Sequence, residues 1–550
     1  MIELDSIIKT LIELDSMYDK GFFMKILFIN PSLRGGSKNS SLYLPVGLSY
    51  VMTYVKQQGF KFDLFDIDVA GYDDKYVENY FIKNKYDVIC LGSIVTHYRW
   101  VKWCVNMIKE HQPNSKIVVG NSVGGSIPEV LFQTTKVDVV VYGEAEVTMT
   151  ELLTAFRDDK PLGEISEPEV EIPHMNKGYP ATIKGVGIEG IIYRASNNKI
   201  INNGKRKAVK NIDDFPFPDW EMFDVETYLT SGKRFGASHS WFYEKNQAVP
   251  MPINTARGCV FKCTFCHYVF WHDPYRHRSA ENVIAEIKQN QKKYGANFFN
   301  FWDELSFHKL GPAEKFVDKL IEADLKIHWT CAIRADLMGM NKDLKGKEIP
   351  RQDRLNLAKK FVTAGCVSAG YSLESGSDKI LESMNKRVKS EYFAEQVKIC
   401  NEAGLITNTS LVIGYPEENS ETLKETFTKL EALRVYPSAG FLLPLPETGM
   451  WKHALENGHI KNIDEFLTAI TERQDFSLNM TKMDEDQLKK EVMDWLAYLN
   501  KKFGNSLEEK TLMKTGGYDE HSKHQEKDKV NRNKTTKDSL NYAYQEGTLR

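Results

Sequence analysis

Three cysteines fall within eight residues: Cys259, Cys263 and Cys266, in Asn254-Thr-Ala-Arg-Gly-Cys259-Val-Phe-Lys-Cys263-Thr-Phe-Cys266-His267. The C-x3-C-x2-C spacing places three thiolates on one short loop, where they can hold three irons of a cubane cluster. A structural four-iron cluster takes four cysteines, and no fourth follows until Cys331. One iron would then lack a protein thiolate and stay open to a substrate or cosubstrate. That open position separates catalytic from structural metal sites. The alternative is zinc, with His267 as fourth ligand. Adjacent residues rarely both reach one tetrahedral ion, and zinc loops usually come as two separated pairs. Cys90, Cys104, Cys331, Cys366 and Cys400 are scattered singly and read as small buried hydrophobes.

The loop needs a scaffold, and βα alternation over residues 251–450 supplies one. Strands are expected at 298–302, 328–333, 368–374, 407–413 and 440–444, with helices between them. Ser279 is a plausible N-cap for the first of these helices. Six βα units predict a partial parallel barrel, whose reactive groups sit at the carboxyl ends of strands. Asp303 and Glu304 end the second strand, Arg334 the third and Glu374 the fourth, while Ser410 lies on the fifth.

A second α/β pattern precedes it, over residues 24–157. Continuous apolar strands separated by helices predict a doubly wound, flavodoxin-like (Rossmann-like) domain with a ligand crevice beyond its strand ends. Ser93, Gly120 and Gly143 fall at those ends. Residues 158–250 read as a linker bearing a β-hairpin, and 451–510 as a helical C-terminal region. Residues 1–23 read as an amphipathic extension, and 511–550 as a polar tail expected to be disordered. The net charge of −3 gives no electrostatic case for nucleic acid. No apolar run reaches the length of a membrane span, and the acidic start does not resemble a secretory signal. A cytoplasmic protein without an integral membrane segment is expected.

The cysteine loop, with Phe265 just before its third cysteine and a predicted strand before it, resembles that of the radical S-adenosylmethionine (SAM) enzymes. The order of the two domains is similar to that of the cobalamin-binding members of this family. The resemblance covers roughly residues 24–500. It implies a 4Fe-4S cluster on Cys259, Cys263 and Cys266, with SAM on the open iron. It implies cofactor contacts from Asp303, Glu304, Arg334, Glu374 and Ser410, and a cobalamin crevice at Ser93, Gly120 and Gly143. One electron from the cluster would cleave SAM to methionine and a 5′-deoxyadenosyl radical, which takes hydrogen from an unactivated carbon. The implied activity is cobalamin-dependent C-methylation of a small-molecule or lipid/natural-product substrate, with electrons from a donor such as flavodoxin or ferredoxin. Radical rearrangement, cyclisation or oxidation is the alternative within the class. A cobalamin or redox sensor is the alternative outside it. The family's D-x-H-x-x-G motif is missing: Asn30-Pro-Ser-Leu-Arg-Gly-Gly-Ser-Lys38 contains no histidine. The resemblance leaves His97 as a candidate cobalt ligand, while a lone loop histidine is more often a surface or hydrogen-bonding residue.

Overall fold

Five apolar runs of the N-terminal third become strands: β1 Ile26–Asn30, β2 Asp63–Asp66, β3 Val88–Gly92, β4 Lys116–Gly120 and β5 Val139–Val141. They pair in parallel in the order β2-β1-β3-β4-β5, the flavodoxin-like order. β1 and β5 are buried along their whole length, as expected of strands covered on both faces. The computed structural model describes residues 24–32, 42–173, 176, 179–235, 247–268, 270, 273–343, 345–470, 476–505, 507, 509, 512 and 513. The N-terminal extension, the Arg34–Lys38 stretch and the tail beyond residue 513 lie outside the described residues. The chain divides into two units: residues 1–31 with 50–207, and residues 32–49 with 208–550.

The first unit is larger than expected. Residues 158–207 are not a linker but part of its sheet, as β6 Gly163–Ile165, β7 Glu171–Ile172, β8 Thr182–Gly187, β9 Ile191–Arg194 and β10 Ile200–Asn202. The β9–β10 hairpin docks antiparallel on β5, with Val139 opposite Tyr193 and Val141 opposite Ile191. The sheet then continues through β8 to β6. An unpaired β5 would leave a row of open N–H and C=O groups, and the hairpin closes that edge.

The second unit carries the barrel. β11 Pro250–Ile253 leads into a small antiparallel pair, β12 Ala256–Arg257 with β13 Arg276–His277. The parallel strands that follow are β14 Phe298–Phe301, β15 His328–Ala332, β16 Cys366–Gly370, β17 Ile406–Asn408, β18 Ser410–Ile413 and β19 Ser438–Phe441. They form one sheet in the order β11-β14-β15-β16-β17 and a second of β18-β19. Only Thr409 separates β17 from β18, so a single bent strand passes from one sheet to the other. A parallel bridge between Glu374 and Leu411 links them again. These are the six strands of the expected partial barrel. Intervening helices run over Ala280–Tyr294, Leu310–Ala323, Arg351–Thr363, Ser390–Ala403 and Ser420–Leu433. Ser279 caps the first, accepting from Asn282 N at 3.1 Å. Phe298, Phe299, Trp329 and Phe361 are fully buried, each worth about 2–3 kcal/mol by removal of its surface from water. Helices Gly449–Glu456, Ile463–Ala469 and Glu485–Phe503 form the C-terminal region. Among the described residues no helix is long and apolar enough to cross a membrane.

Candidate active site: the cysteine loop and the polar strand ends

The loop leaves the carboxyl end of β11 and is clamped at once. Asp303, just beyond β14, accepts five hydrogen bonds: from Asn254 Nδ2, Thr255 N and Ala256 N on Oδ1, and from Thr255 Oγ1 and Ser306 Oγ on Oδ2. Both of its oxygens are spent within the protein. Through these bonds Asp303 positions the strand end that launches the cysteine loop. Its neighbour Glu304 takes a different place. It is exposed at the mouth of the strand end rather than locked in the clamp.

The middle of the loop hangs on Thr264. Its N–H donates to Met384 O at 2.9 Å, and its Oγ1 bonds Ser383 O at 3.1 Å and Tyr415 Oη at 2.9 Å. Its carbonyl accepts from Met450 N at 2.9 Å. Three distant stretches therefore converge on one residue between Cys263 and Cys266: the turn after β16, the loop after β18 and the first C-terminal helix. Cys263 is buried, and Cys259 and Cys266 are half-buried. Burial raises all three thiols. Among the described residues no three His, Cys, Asp or Glu side chains are gathered for a single ion. His267 directs Nδ1 to Pro446 O at 3.0 Å.

Glu374 follows β16 in a left-handed conformation, with φ of 62°. Non-glycine residues pay for that region, and they concentrate at functional sites. The Glu374 side chain is buried, its Oε1 lies 2.8 Å from Lys386 Nζ, and its Oε2 has no partner. A buried carboxylate oxygen without a donor is costly, which fits a donor supplied by a ligand. Ser410 on β18 runs beside it: Glu374 N–H donates to Ser410 O at 3.0 Å, and Ser410 Oγ bonds Ser372 Oγ at 2.7 Å. Arg334 commits Nε and Nη2 to Asp336 and gives Nη2 to Lys386 O at 2.6 Å. Its guanidinium lies 3.3 Å from the Phe261 ring centroid, on the cysteine loop. Arg334 thus reaches the cysteine loop through Phe261, and Ser410 lies beside Glu374. Lys386 and Thr264 escape sequence reasoning, since both lie off the strand ends and neither spacing nor periodicity marks them.

Glu418 supports the same floor from the loop after β18. It is buried and accepts from Gly414 N at 2.8 Å and Thr422 Oγ1 at 3.4 Å. Burial pushes its carboxyl up to about 7, against about 4.3 for an ordinary glutamate. Between those pH values the folded state holds a proton that the unfolded chain has lost, so stability falls as pH rises. E418Q removes this titration. Its unfolding free energy relative to wild type is expected to improve by up to about 3 kcal/mol from pH 4.5 to pH 7.5. Chemical unfolding at both pH values checks this, and a constant difference would refute it.

In the first unit, the crevice edge is built from the ends of β3 and β4. Ser93 is buried, and its Oγ lies 3.0 Å from His97 Nδ1. His97 stacks on Trp100 at 5.2 Å and 4°, and Trp100 Nε1 donates to Asp74 at 3.1 Å. Gly124 packs against the sheet: a Cβ there would sit 2.7 Å from Val119 O. Gly120 is different. Its φ of −124° suits any residue, yet a Cβ would meet nothing nearer than Val141 O at 3.9 Å. The space beside this strand end is open. Gly143 has φ of 83°, and a Cβ there would sit 3.0 Å from the Lys205 stem.

Comparison with known proteins matches these two sites separately. Residues 38–153 match the B12 binding domain family, and residues 253–430 the radical SAM superfamily. An anaerobic magnesium-protoporphyrin IX monomethyl ester cyclase of Rubrivivax gelatinosus is 25% identical over 74% of this chain and 65% of its own. An uncharacterized methyltransferase of Pyrococcus horikoshii is 25% identical over 79% of this chain and 84% of its own. Among solved structures, the cobalamin-dependent radical enzyme OxsB superposes with a TM-score of 0.57 at 18% identity, over 84% of this chain and 58% of OxsB. The radical SAM methyltransferase TsrM of Kitasatospora setae gives 0.54 at 16% identity, over 79% of this chain and 76% of TsrM. The chain spans less than two thirds of the cyclase and of OxsB. The chain thus carries a B12 binding domain ahead of a radical SAM domain, a combination that implies a 4Fe-4S cluster, S-adenosylmethionine and cobalamin as cofactors.

Proposed function

We propose that this enzyme is a cobalamin-dependent C-methyltransferase acting on an unactivated carbon of a small molecule, lipid or natural product. The observation that carries the reading is the pairing of two sites in one chain: a three-cysteine loop beside the unpartnered Glu374 Oε2, and an open cradle at Gly120. Cys259, Cys263 and Cys266 hold the cluster. Glu374 Oε2 accepts from a donor group of SAM, with Ser410 beside it, and Arg334 and Glu304 contribute from the neighbouring strand ends. Ser93, Gly120 and Gly143 receive cobalamin. When bound, these cofactors supply reductive SAM cleavage and methyl-group carriage. The chain's own part is to position them and exclude water, and Phe261, Phe265 and Tyr415 wall the loop for that purpose. Electrons come from a small flavin or iron–sulfur donor. The cysteines are free, which suits the reducing cytoplasm.

A ring-forming or oxidative radical reaction is the second reading, favoured by the match to the magnesium-protoporphyrin cyclase over 74% of this chain. Product analysis separates the two. Methyl transfer requires S-adenosylhomocysteine, formed from SAM only when cobalamin is loaded. 5′-Deoxyadenosine without any S-adenosylhomocysteine would reject methyl transfer in favour of the second reading.

A further inference from the structure

The turn after helix Asp378–Ser383 is built to carry one buried cation against the cysteine loop. Asn385 and Arg387 both adopt left-handed backbone, with φ of 49° and 53°. Two such residues flanking Lys386 cost conformational energy, which persists only where the surroundings impose it. Four hydrogen bonds impose it here. Thr264 takes Ser383 O and Met384 O, Asn385 Nδ2 donates to Lys262 O at 2.8 Å, and Arg334 Nη2 donates to Lys386 O. Three of the four tie the turn directly to the loop that carries the cysteines.

The side chain so held is nearly enclosed. Lys386 Nζ lies 2.8 Å from Glu374 Oε1 and 5.9 Å from the Phe265 ring centroid. Burial works against its charge, but the Glu374 carboxylate at 2.8 Å favours the ammonium form. A cluster gains one negative charge on reduction, and a fixed cation nearby in a poorly solvated site stabilises that form.

We propose that Lys386 is a positioning residue with two tasks: its charge raises the reduction potential of the cluster, and its bond to Glu374 Oε1 turns Oε2 toward SAM. This rests on the reading of the three cysteines as cluster ligands. The test is an EPR-monitored redox titration of reconstituted wild type, K386M, K386R and E374Q without SAM, each assayed for iron and sulfide. K386M should reduce less readily, with about a tenfold lower reduced-to-oxidised ratio at fixed potential, or about 59 mV for one electron. K386R should stay near wild type. E374Q, which removes the counter-charge of Lys386, should shift the opposite way. A wild-type cluster that reduces normally, with K386M at the same midpoint, overturns the inference alone. Wild type that takes up no cluster overturns the reading beneath it. If K386M retains no iron, E374Q decides: an unmoved or lowered midpoint overturns the proposal.

Discussion

C263A is expected to lose the cluster while keeping the fold. Anaerobic reconstitution should leave it without the wild-type iron, sulfide and visible absorption, and SAM cleavage should fall by well over about a hundredfold, more than loss of an outer partner of a metal ligand costs. The reason lies in how the loop is held. Thr264, Asp303 and Tyr415 fix the loop backbone through bonds that do not involve the thiols. Removing one sulfur therefore removes a ligand without removing the support. C400A is the control: Cys400 is fully buried on helix Ser390–Ala403, away from the loop. It should cost stability through the small cavity it leaves and spare the cluster. Were the cluster structural, as a sensor would require, C263A would instead unfold the barrel unit together with its metal. Near-ultraviolet circular dichroism and iron content, measured on both variants, separate these outcomes.

G120F is expected to abolish cobalamin binding without unfolding the first unit. The glycine backbone is in an extended conformation that phenylalanine adopts freely, and its Cβ direction is open. The ring would occupy the cradle, so affinity should fall about a hundredfold or more, equivalent to about 2.8 kcal/mol. Four residues on, G124V should do the reverse. Its Cβ would press on Val119 O at 2.7 Å, and backbone cannot yield as a side-chain tip can, so β4 and its helix separate. Cobalamin titration followed by absorption, with thermal unfolding of the apo forms, distinguishes a blocked site from a broken one. Tight cobalamin binding by a folded G120F would remove the cradle from the binding site.

The contrast between these residues shows what can be read from the chain alone. The cysteines are legible because their chemistry depends on spacing, which sequence states directly. The apolar strands are legible because burial on both faces leaves continuous runs such as Ile26–Asn30. The clamping role of Asp303 is not legible, because a carboxylate at a strand end looks the same in sequence whatever donors the fold brings to it, here Asn254 to Ala256 and Ser306. Lys386 escapes notice because its meaning depends on a turn over a hundred residues from the cysteines, held by backbone bonds to Thr264 that no local pattern encodes. The β9–β10 hairpin is recognisable as a hairpin, but its pairing with β5 is long-range, and a run of Gly, Pro and Asn hides an edge strand well.

The most direct measurement is the fate of SAM on the reduced enzyme. Reconstituted wild-type protein, given dithionite and SAM, is predicted to yield 5′-deoxyadenosine and methionine in equal amounts, and C263A neither. An intact cluster that accepts an electron, binds SAM and yields no 5′-deoxyadenosine would contradict the account.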